Sequence, residues 1–391
     1  MRSSLLSRPA LHTAGVYVTL FMTTGVQVPF WPLWLADWGL TPEEVALYTA
    51  LGVAVRVVAG MAVPALADRM DNRRTALALS AAVTALLYLG HLGIERKGVL
   101  LAATLAAGAT MAGIGPIAEA LGVAASRAWG FAYAQVRGIG SAGYLAANLV
   151  VGAWIAATGS WIALWWIVAC LAALAVLSVG HPGAHKVAGQ TPPDLREIGR
   201  LVVNPVFAVF MGAVAFLQAS HSVMYALGSL HWRALGVSET EIGALWAASV
   251  GTEIVFMMLF GTYAIERLGP VRALAVSGLA GVLRWAVMMA DPTGFWLWPI
   301  QGLHAVTFAM AHLGTIAFIT RAVPARDAAA AQGASGAMAV GAVMALQMAL
   351  AAAVYPALGG RTYGIGVASS ALGIVFCVWL ARRWQGREIA L

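Results

Sequence analysis

Twelve runs of about 20 mostly apolar residues follow one another along this chain of 391 residues. They constrain the fold strongly, because a helix of this length crosses the hydrocarbon core of a bilayer. Only 10% of the residues are charged, whereas about 25% are charged in a typical soluble domain. The sequence therefore predicts an all-α membrane protein with 12 transmembrane helices, called spans 1 to 12, at approximately 11–35, 43–66, 75–92, 98–122, 135–157, 160–180, 203–227, 240–263, 272–290, 294–320, 329–354 and 362–382.

The longest polar stretch, HPGAHKVAGQTPPDLREIGR at residues 181–200, separates spans 6 and 7. Its proline, glycine and charged residues are typical of a linker rather than of a membrane helix. We therefore predict an N-terminal six-helix bundle at residues 1–180, a cytoplasmic linker at 181–202 and a C-terminal six-helix bundle at 203–391.

The lysines and arginines are distributed unequally between the two sides of the predicted membrane. Of the 23, 16 lie on the side that holds both termini and the linker, four lie in the opposite loops, and Arg56, Arg137 and Arg284 fall within or at the edge of spans. Positive residues accumulate on the cytoplasmic side. This asymmetry predicts cytoplasmic N- and C-termini and explains the net charge of +7 without a nucleic-acid partner.

An internal repeat appears when the chain is shifted by 197 residues. Residues 39–45 (GLTPEEV) then align with residues 236–242 (GVSETEI), and both segments carry the Ser/Thr-x-x-Glu pattern of a helix capping box. At the other end of the same spans, ADRMDNRR (67–74) matches IERLGPVR (265–272) within one residue. Two halves in one orientation predict parallel bundles that rock around a central cavity. Asp68, Arg69, Glu266 and Arg267 are predicted to form gating loops.

Ionisable residues inside the spans predict the functional site, because charge at the bilayer centre is costly and is normally retained for function. Glu253 lies in the middle of span 8, and two arginines are candidate partners: Arg56, which the repeat aligns with Glu253, and Arg284 at a similar depth. We predict a proton-coupling group of Glu253, Arg284, His304 and His312. We predict substrate binding by Trp31, Arg56, Glu119, Arg137, Tyr144, Gln218, His221, Tyr225, Trp246 and Gln301.

The residue types indicate a chemistry for this site. A carboxylate that alternately approaches and leaves an arginine can bind and release a proton, and histidine can do the same near neutral pH. An arginine that loses its carboxylate partner to protonation can bind an anionic substrate. These side chains therefore favour proton-coupled uptake of a small carboxylate.

Longer motifs resemble a known family. VPFWPLWLADWGLTPE (28–43), ALWAASVGTEIVF (244–256), GVLRWAVM (281–288) and QGLHAVTFAMAHL (301–313) are similar to segments of the phenylpropionate permease family in the major facilitator superfamily. This resemblance implies a monomeric, proton-linked importer of an arylalkanoic acid in the bacterial cytoplasmic membrane. The order of acids, arginines and histidines along spans 4 to 10 is also similar to that of galactoside–proton symporters, although span 10 contains no acid here.

Other functions stay open at this point. The same fold could carry a nucleoside, a sugar or a siderophore, or act as an exporter, and a receptor that binds without transport is a further alternative. A membrane enzyme is not expected, because the chain has no cysteine pair and no Gly-x-Ser-x-Gly motif. We expect no cofactor and no metal, and as partners only the substrate, protons and the lipid bilayer.

Overall fold

The computed structural model describes residues 5–70, 72–183 and 195–389, and these residues form helices and turns without a β-strand. The predicted linker lies partly outside the described residues, which do not include 184–194. The helices of the first half and the short helix before span 7 are α1 (Arg8–Trp38), α2 (Pro42–Arg69), α3 (Arg73–Gly90), α4 (Lys97–Trp129), α5 (Tyr133–Thr158), α6 (Trp161–Val179) and α7 (Leu195–Val203).

Several spans of the second half consist of two helical segments rather than one. Span 7 is made of α8 and α9, span 10 of α12 and α13, and span 11 of α14 and α15. The bounds are α8 (Pro205–Ala219), α9 (Ser222–Ala234), α10 (Glu239–Leu259), α11 (Gly261–Met288), α12 (Leu297–Gly302), α13 (Met310–Ala322), α14 (Ala328–Gly333), α15 (Gly341–Leu358) and α16 (Gly364–Arg383).

Ten helical segments of the described chain are long and apolar enough to cross a membrane. The last of them, Ala330–Arg383, contains both α15 and α16. Helix α1 is not among the ten, yet its 31 residues exceed the length that a bilayer requires. The helical architecture confirms the prediction of an all-α membrane fold.

Two compact units organise these helices. Unit 1 contains the described residues within 1–40, 54–191 and 238–247, and unit 2 contains those within 41–53, 192–237 and 248–391. The first residues of α2 and of α10 therefore belong to a different unit from the rest of the same helix. The boundaries at 180 and 203 stay a prediction.

The repeated capping motif has the same role in both halves. Gly39 and Gly236 adopt the left-handed backbone conformation, with φ of +117° and +83°, which ends the preceding helix. Thr41 then caps α2 reciprocally: its N–H donates to Glu44 Oε2 at 3.0 Å, and its Oγ1 accepts from the Glu44 N–H at 3.4 Å. Ser238 Oγ accepts from the Glu241 N–H at 3.3 Å at the start of α10.

Small residues allow the helices within each unit to approach closely. A methyl group on Gly25 of α1 would lie 2.9 Å from the Tyr144 carbonyl oxygen of α5. In unit 2, a methyl group on Gly366 of α16 would lie 2.8 Å from the carbonyl oxygen of Ser220, between α8 and α9. Such contacts replace the hydrophobic effect as the source of helix association in lipid.

The sequence predicts a gating loop at Glu266 and Arg267. Helical structure is present from Gly261 onwards and is broken at Gly269, whose φ of +70° is non-helical and is followed by Pro270. Glu266 and Arg267 therefore lie on a helical segment, where the Arg267 guanidinium packs over the Tyr263 ring at 5.3 Å. Asp68 and Arg69 lie in the last turn of α2.

Candidate functional site

Two irregular helices meet in the middle of unit 2. Span 7 is interrupted at Ser220 and His221, between α8 and α9, and span 10 contains a π-helical turn at residues 305–309. His221 Nε2 lies 3.1 Å from Thr307 Oγ1, so the two interruptions are joined by a hydrogen bond. Helix breaks and π-turns expose backbone groups and concentrate at functional sites.

Arg284 is the centre of a buried polar network next to this junction. Its side chain on α11 is 1% exposed. Nη1 donates to His304 Nδ1 and to Thr307 Oγ1, both at 3.1 Å, and Nη2 donates to Gln301 Oε1 at 2.9 Å. The guanidinium also packs over the Trp285 ring at 4.6 Å. We call the network of His221, Ser249, Glu253, Arg284, Gln301, His304 and Thr307 the Arg284 cluster.

The contact with Arg284 fixes the tautomer of His304. A guanidinium can only donate, so His304 Nδ1 must accept, and the neutral imidazole carries its hydrogen on Nε2. That nitrogen faces Glu253 Oε2 at 3.3 Å, so the hydrogen-bearing edge of the imidazole is turned towards the carboxylate. His304 thus connects the two charged groups, and Glu253 is joined to Arg284 through the imidazole rather than directly.

The polar side chains of this region differ in how completely they are hydrogen-bonded. Ser249, one helical turn before Glu253 on α10, donates to Gln301 Oε1 at 2.8 Å. Gln301 Nε2, Arg284 Nε and Gln218 Oε1 are buried and make no hydrogen bond among the described residues. Each unmade bond costs about 1–3 kcal/mol. The sequence retains this polar group despite its cost to stability, which is typical of a functional site.

Aromatic rings surround the histidines of the cluster. Tyr225 stacks on His221 with ring centres 5.8 Å apart, and Trp285 meets the His221 ring edge-on at 5.2 Å. On span 10, Phe308 stacks on His304 at 5.2 Å and on His312 at 6.3 Å. Phe308 thus lies between the two histidines that the sequence predicts to take part in proton coupling.

Unit 1 contains Glu119 and Arg137, which the sequence predicts to bind substrate. Arg137 Nε donates to Glu119 Oε1 at 2.7 Å, and the guanidinium packs over the Phe21 ring at 5.4 Å. Both side chains are more than a third exposed, at 38% and 45%. An exposed pair of this kind contributes at most about 1 kcal/mol to stability. Stability alone therefore does not explain why these two charged residues lie within the spans.

The other predicted binding residues occupy different surroundings. Trp31 is 6% exposed and stacks on Trp34 at 4.5 Å, with the Tyr88 ring against its edge at 4.8 Å. Trp246 is 5% exposed. The Tyr144 carbonyl accepts from Asn148 Nδ2 at 2.8 Å. Packing accounts for much of the surface of these aromatic side chains.

Sequence reasoning missed Ser249, Thr307 and Phe308. Ser249 precedes Glu253 by four residues and Thr307 follows His304 by three, so helical spacing placed both on the faces of known candidates. No three His, Cys, Asp or Glu side chains in the described ranges are close enough to hold a metal ion.

Comparison with known proteins now identifies the family. Residues 11–362 match the model of the MFS_1 like family. The chain belongs to this family. It is 25% identical over 357 residues to the "Probable 3-phenylpropionic acid transporter" of Escherichia coli K12, covering 89% of this chain and 92% of the relative. The predicted resemblance to phenylpropionate permeases is therefore confirmed.

Solved structures define the fold. The nucleoside transporter NupG superposes with a TM-score of 0.81 at 16% identity, over 97% of this chain and all of that chain. A D-xylose–proton symporter gives a TM-score of 0.68 at 13% identity, over 98% of both chains. These similarities confirm the major facilitator fold. The chain is a multi-pass membrane transporter.

Proposed function

We propose that this transporter imports a small organic acid, such as a phenylpropionate-type aromatic carboxylate, together with a proton by alternating access. We place it in the bacterial cytoplasmic membrane as a monomer with both termini in the cytoplasm. The relative in Escherichia coli supports the substrate class. The connection Arg284–His304–Glu253 supports the coupling to protons.

Charge balance gives the mechanism. The Arg284 cluster carries one guanidinium and one carboxylate, so it is neutral only while Glu253 is ionised. Protonation of Glu253 leaves a positive charge in a medium of low dielectric constant, where charge acts over a long distance and is costly. An anionic substrate returns the net charge of the transporter to its value in the empty state, because its negative charge equals the positive charge of the proton. The transporter should therefore change conformation readily when both ligands are bound or when both are absent.

Alternatives remain within the same fold. A nucleoside, sugar or siderophore carrier, an exporter and a receptor without transport each predict a different flux. Catalysis forms no part of our proposal, since a transporter needs only differential binding in two conformations.

Uptake of radiolabelled 3-phenylpropionate into proteoliposomes tests the proposal. With an inward proton gradient, the wild-type protein should accumulate the acid, and a protonophore should abolish accumulation. Glu253→Gln should lose accumulation but keep equilibrium exchange. Glu241→Gln is a matched control on the same helix, because glutamine is also accepted at this capping position.

Two results would contradict the proposal in different ways. Undiminished accumulation by Glu253→Gln would show that His312 or another group, rather than Glu253, binds the coupled proton. Absence of uptake for every organic acid tested, with uptake of a nucleoside or sugar, would replace the substrate class and leave the fold unchanged.

A further inference from the structure

The three arginines inside the spans differ in their partners. Arg137 pairs with Glu119, and Arg284 donates to three side chains. Arg56 makes no hydrogen bond or ion pair with any residue that the structure describes, and its Nε is buried without a hydrogen-bond partner. Arg56 is therefore an uncompensated positive charge within unit 1.

Arg56 is too far from both ends of α2 for its guanidinium to reach the water at a membrane surface. Arg56 lies 14 residues after the start of α2 and 13 before its end, which is about 20 Å from either end at 1.5 Å per residue. Arginine side chains reach the interface only from positions near helix ends. Arg56 is near the middle of the bilayer.

The side chain faces another helix of unit 1. A methyl group on Gly108 of α4 would lie 3.7 Å from Arg56 Nε. Two turns later on the same face of α2, Val63 packs against Gly113 of α4. The Arg56 guanidinium therefore lies along the contact between α2 and α4.

Tyr88 carries a hydroxyl group on α3, a helix that packs against α4. That hydroxyl oxygen accepts from Gln27 Nε2 at 2.7 Å, so the hydroxyl hydrogen can donate to another group. The Tyr88 ring in turn contacts Trp31 edge-on.

We propose that Arg56 is the anion-binding residue of the substrate site: it binds the carboxylate of the transported acid, with the Tyr88 hydroxyl as a second donor. The identity of that acid rests on the proposed function above. A guanidinium prefers a planar carboxylate, which it can bind through two parallel hydrogen bonds. One unpaired charge selects a monoanion over the neutral amide of the same shape.

The first test needs no substrate. Arg56→Met should melt at or above the wild-type temperature in detergent without ligand, because it removes an uncompensated charge and breaks no hydrogen bond. Arg284→Met removes three hydrogen bonds and should melt several degrees lower. If Arg56→Met is destabilised as much as Arg284→Met, Arg56 has a partner in the protein and the proposal is wrong.

The second test compares acids with their amides. Calorimetry should find that wild-type protein binds 3-phenylpropionate more tightly than 3-phenylpropionamide. Arg56→Met should bind the acid at least about tenfold more weakly and the amide equally well, while Arg56→Lys should retain part of the preference. Arg361→Met, which changes an exposed arginine, is the matched control. Unchanged acid binding by Arg56→Met would overturn the proposal.

Failure of the proposed substrate class is distinguishable from failure of this inference. If wild-type protein binds neither compound, the substrate class is wrong. Thermal-shift measurements with acetate, methanesulfonate and methylphosphonate then decide the role of Arg56. Stabilisation of the wild type, but not of Arg56→Met, by one of these anions would support an anion site. Equal responses of the two proteins to all of them would exclude it.

Discussion

His304 accepts a hydrogen bond from Arg284 Nη1 at its Nδ1, at 3.1 Å, and presents its Nε2 to Glu253 Oε2 at 3.3 Å. The imidazole therefore lies between the guanidinium and the carboxylate and contacts both of them. A second proton on His304 would place an N–H group against the N–H of Arg284, and this repulsion favours Glu253 as the group that takes up the proton.

Replacement of His304 should separate its two roles. His304→Ala should abolish proton-driven accumulation, because it leaves Arg284 and Glu253 without their shared partner at a cost of about 1–3 kcal/mol. His304→Gln should retain part of the activity, since a glutamine amide can accept from Arg284 and donate to Glu253. Uptake in proteoliposomes and melting in detergent measure both effects. Equal activity of the two variants would refute the bridging role.

A double-mutant cycle should identify the arginine that is coupled to Glu253. Glu253→Gln combined with Arg284→Gln should show a coupling energy of about 0.5–3 kcal/mol. The same cycle with Arg56→Gln should be additive. Denaturation or thermal melting of the single and double variants gives the values. A large coupling with Arg56 and none with Arg284 would favour the partner that the internal repeat suggests.

The break in span 7 should depend on the close approach of α16. Gly366→Ala should destabilise the protein by about 1–3 kcal/mol and impair transport, because the added methyl group would meet the Ser220 carbonyl and the Trp285 ring, each at 2.8 Å. Gly302→Ala is the control: nothing lies within 4 Å of the new methyl group. Melting temperatures that fall equally in both variants would show that packing at Gly366 is unimportant.

Stability should depend on pH through His181, which follows α6 and lies outside the spans. Its side chain is fully buried, and Nδ1 accepts from the Gly183 N–H at 3.0 Å. Burial, followed by the charges of His12 and Arg74, lowers the pKa of His181 to about 4.

The direction of this effect follows from linkage. Because the folded pKa is below the unfolded value of about 6.5, the contribution of neutral His181 is present above pH 6.5 and is lost as the pH falls towards 4. The loss should reach about 3 kcal/mol. Between pH 7 and pH 4.5, the melting temperature should therefore fall more steeply with decreasing pH for the wild type than for His181→Asn. The same pH dependence in both proteins would show that His181 titrates normally.

The membrane spans and the ionisable side chains within them can be read from the amino-acid sequence alone. A bilayer demands about 20 apolar residues in each helix and makes every interior charge exceptional, so Glu253, Arg284 and His304 were recognisable individually. The capping motifs at Thr41 and Ser238 were equally readable, because they depend on residues three positions apart.

The contacts among these residues depend on the three-dimensional packing of the helices. Helix rotation places His304 between Arg284 and Glu253 and brings Ser249 and Thr307 into the cluster. It also leaves Arg56 without a hydrogen-bond partner among the residues that the structure describes. The break at Ser220 and the π-turn at 305–309 change that rotation within a single span. Glycine contacts and helix breaks set these rotations through packing across the unit, and the local periodicity of a sequence does not contain that information.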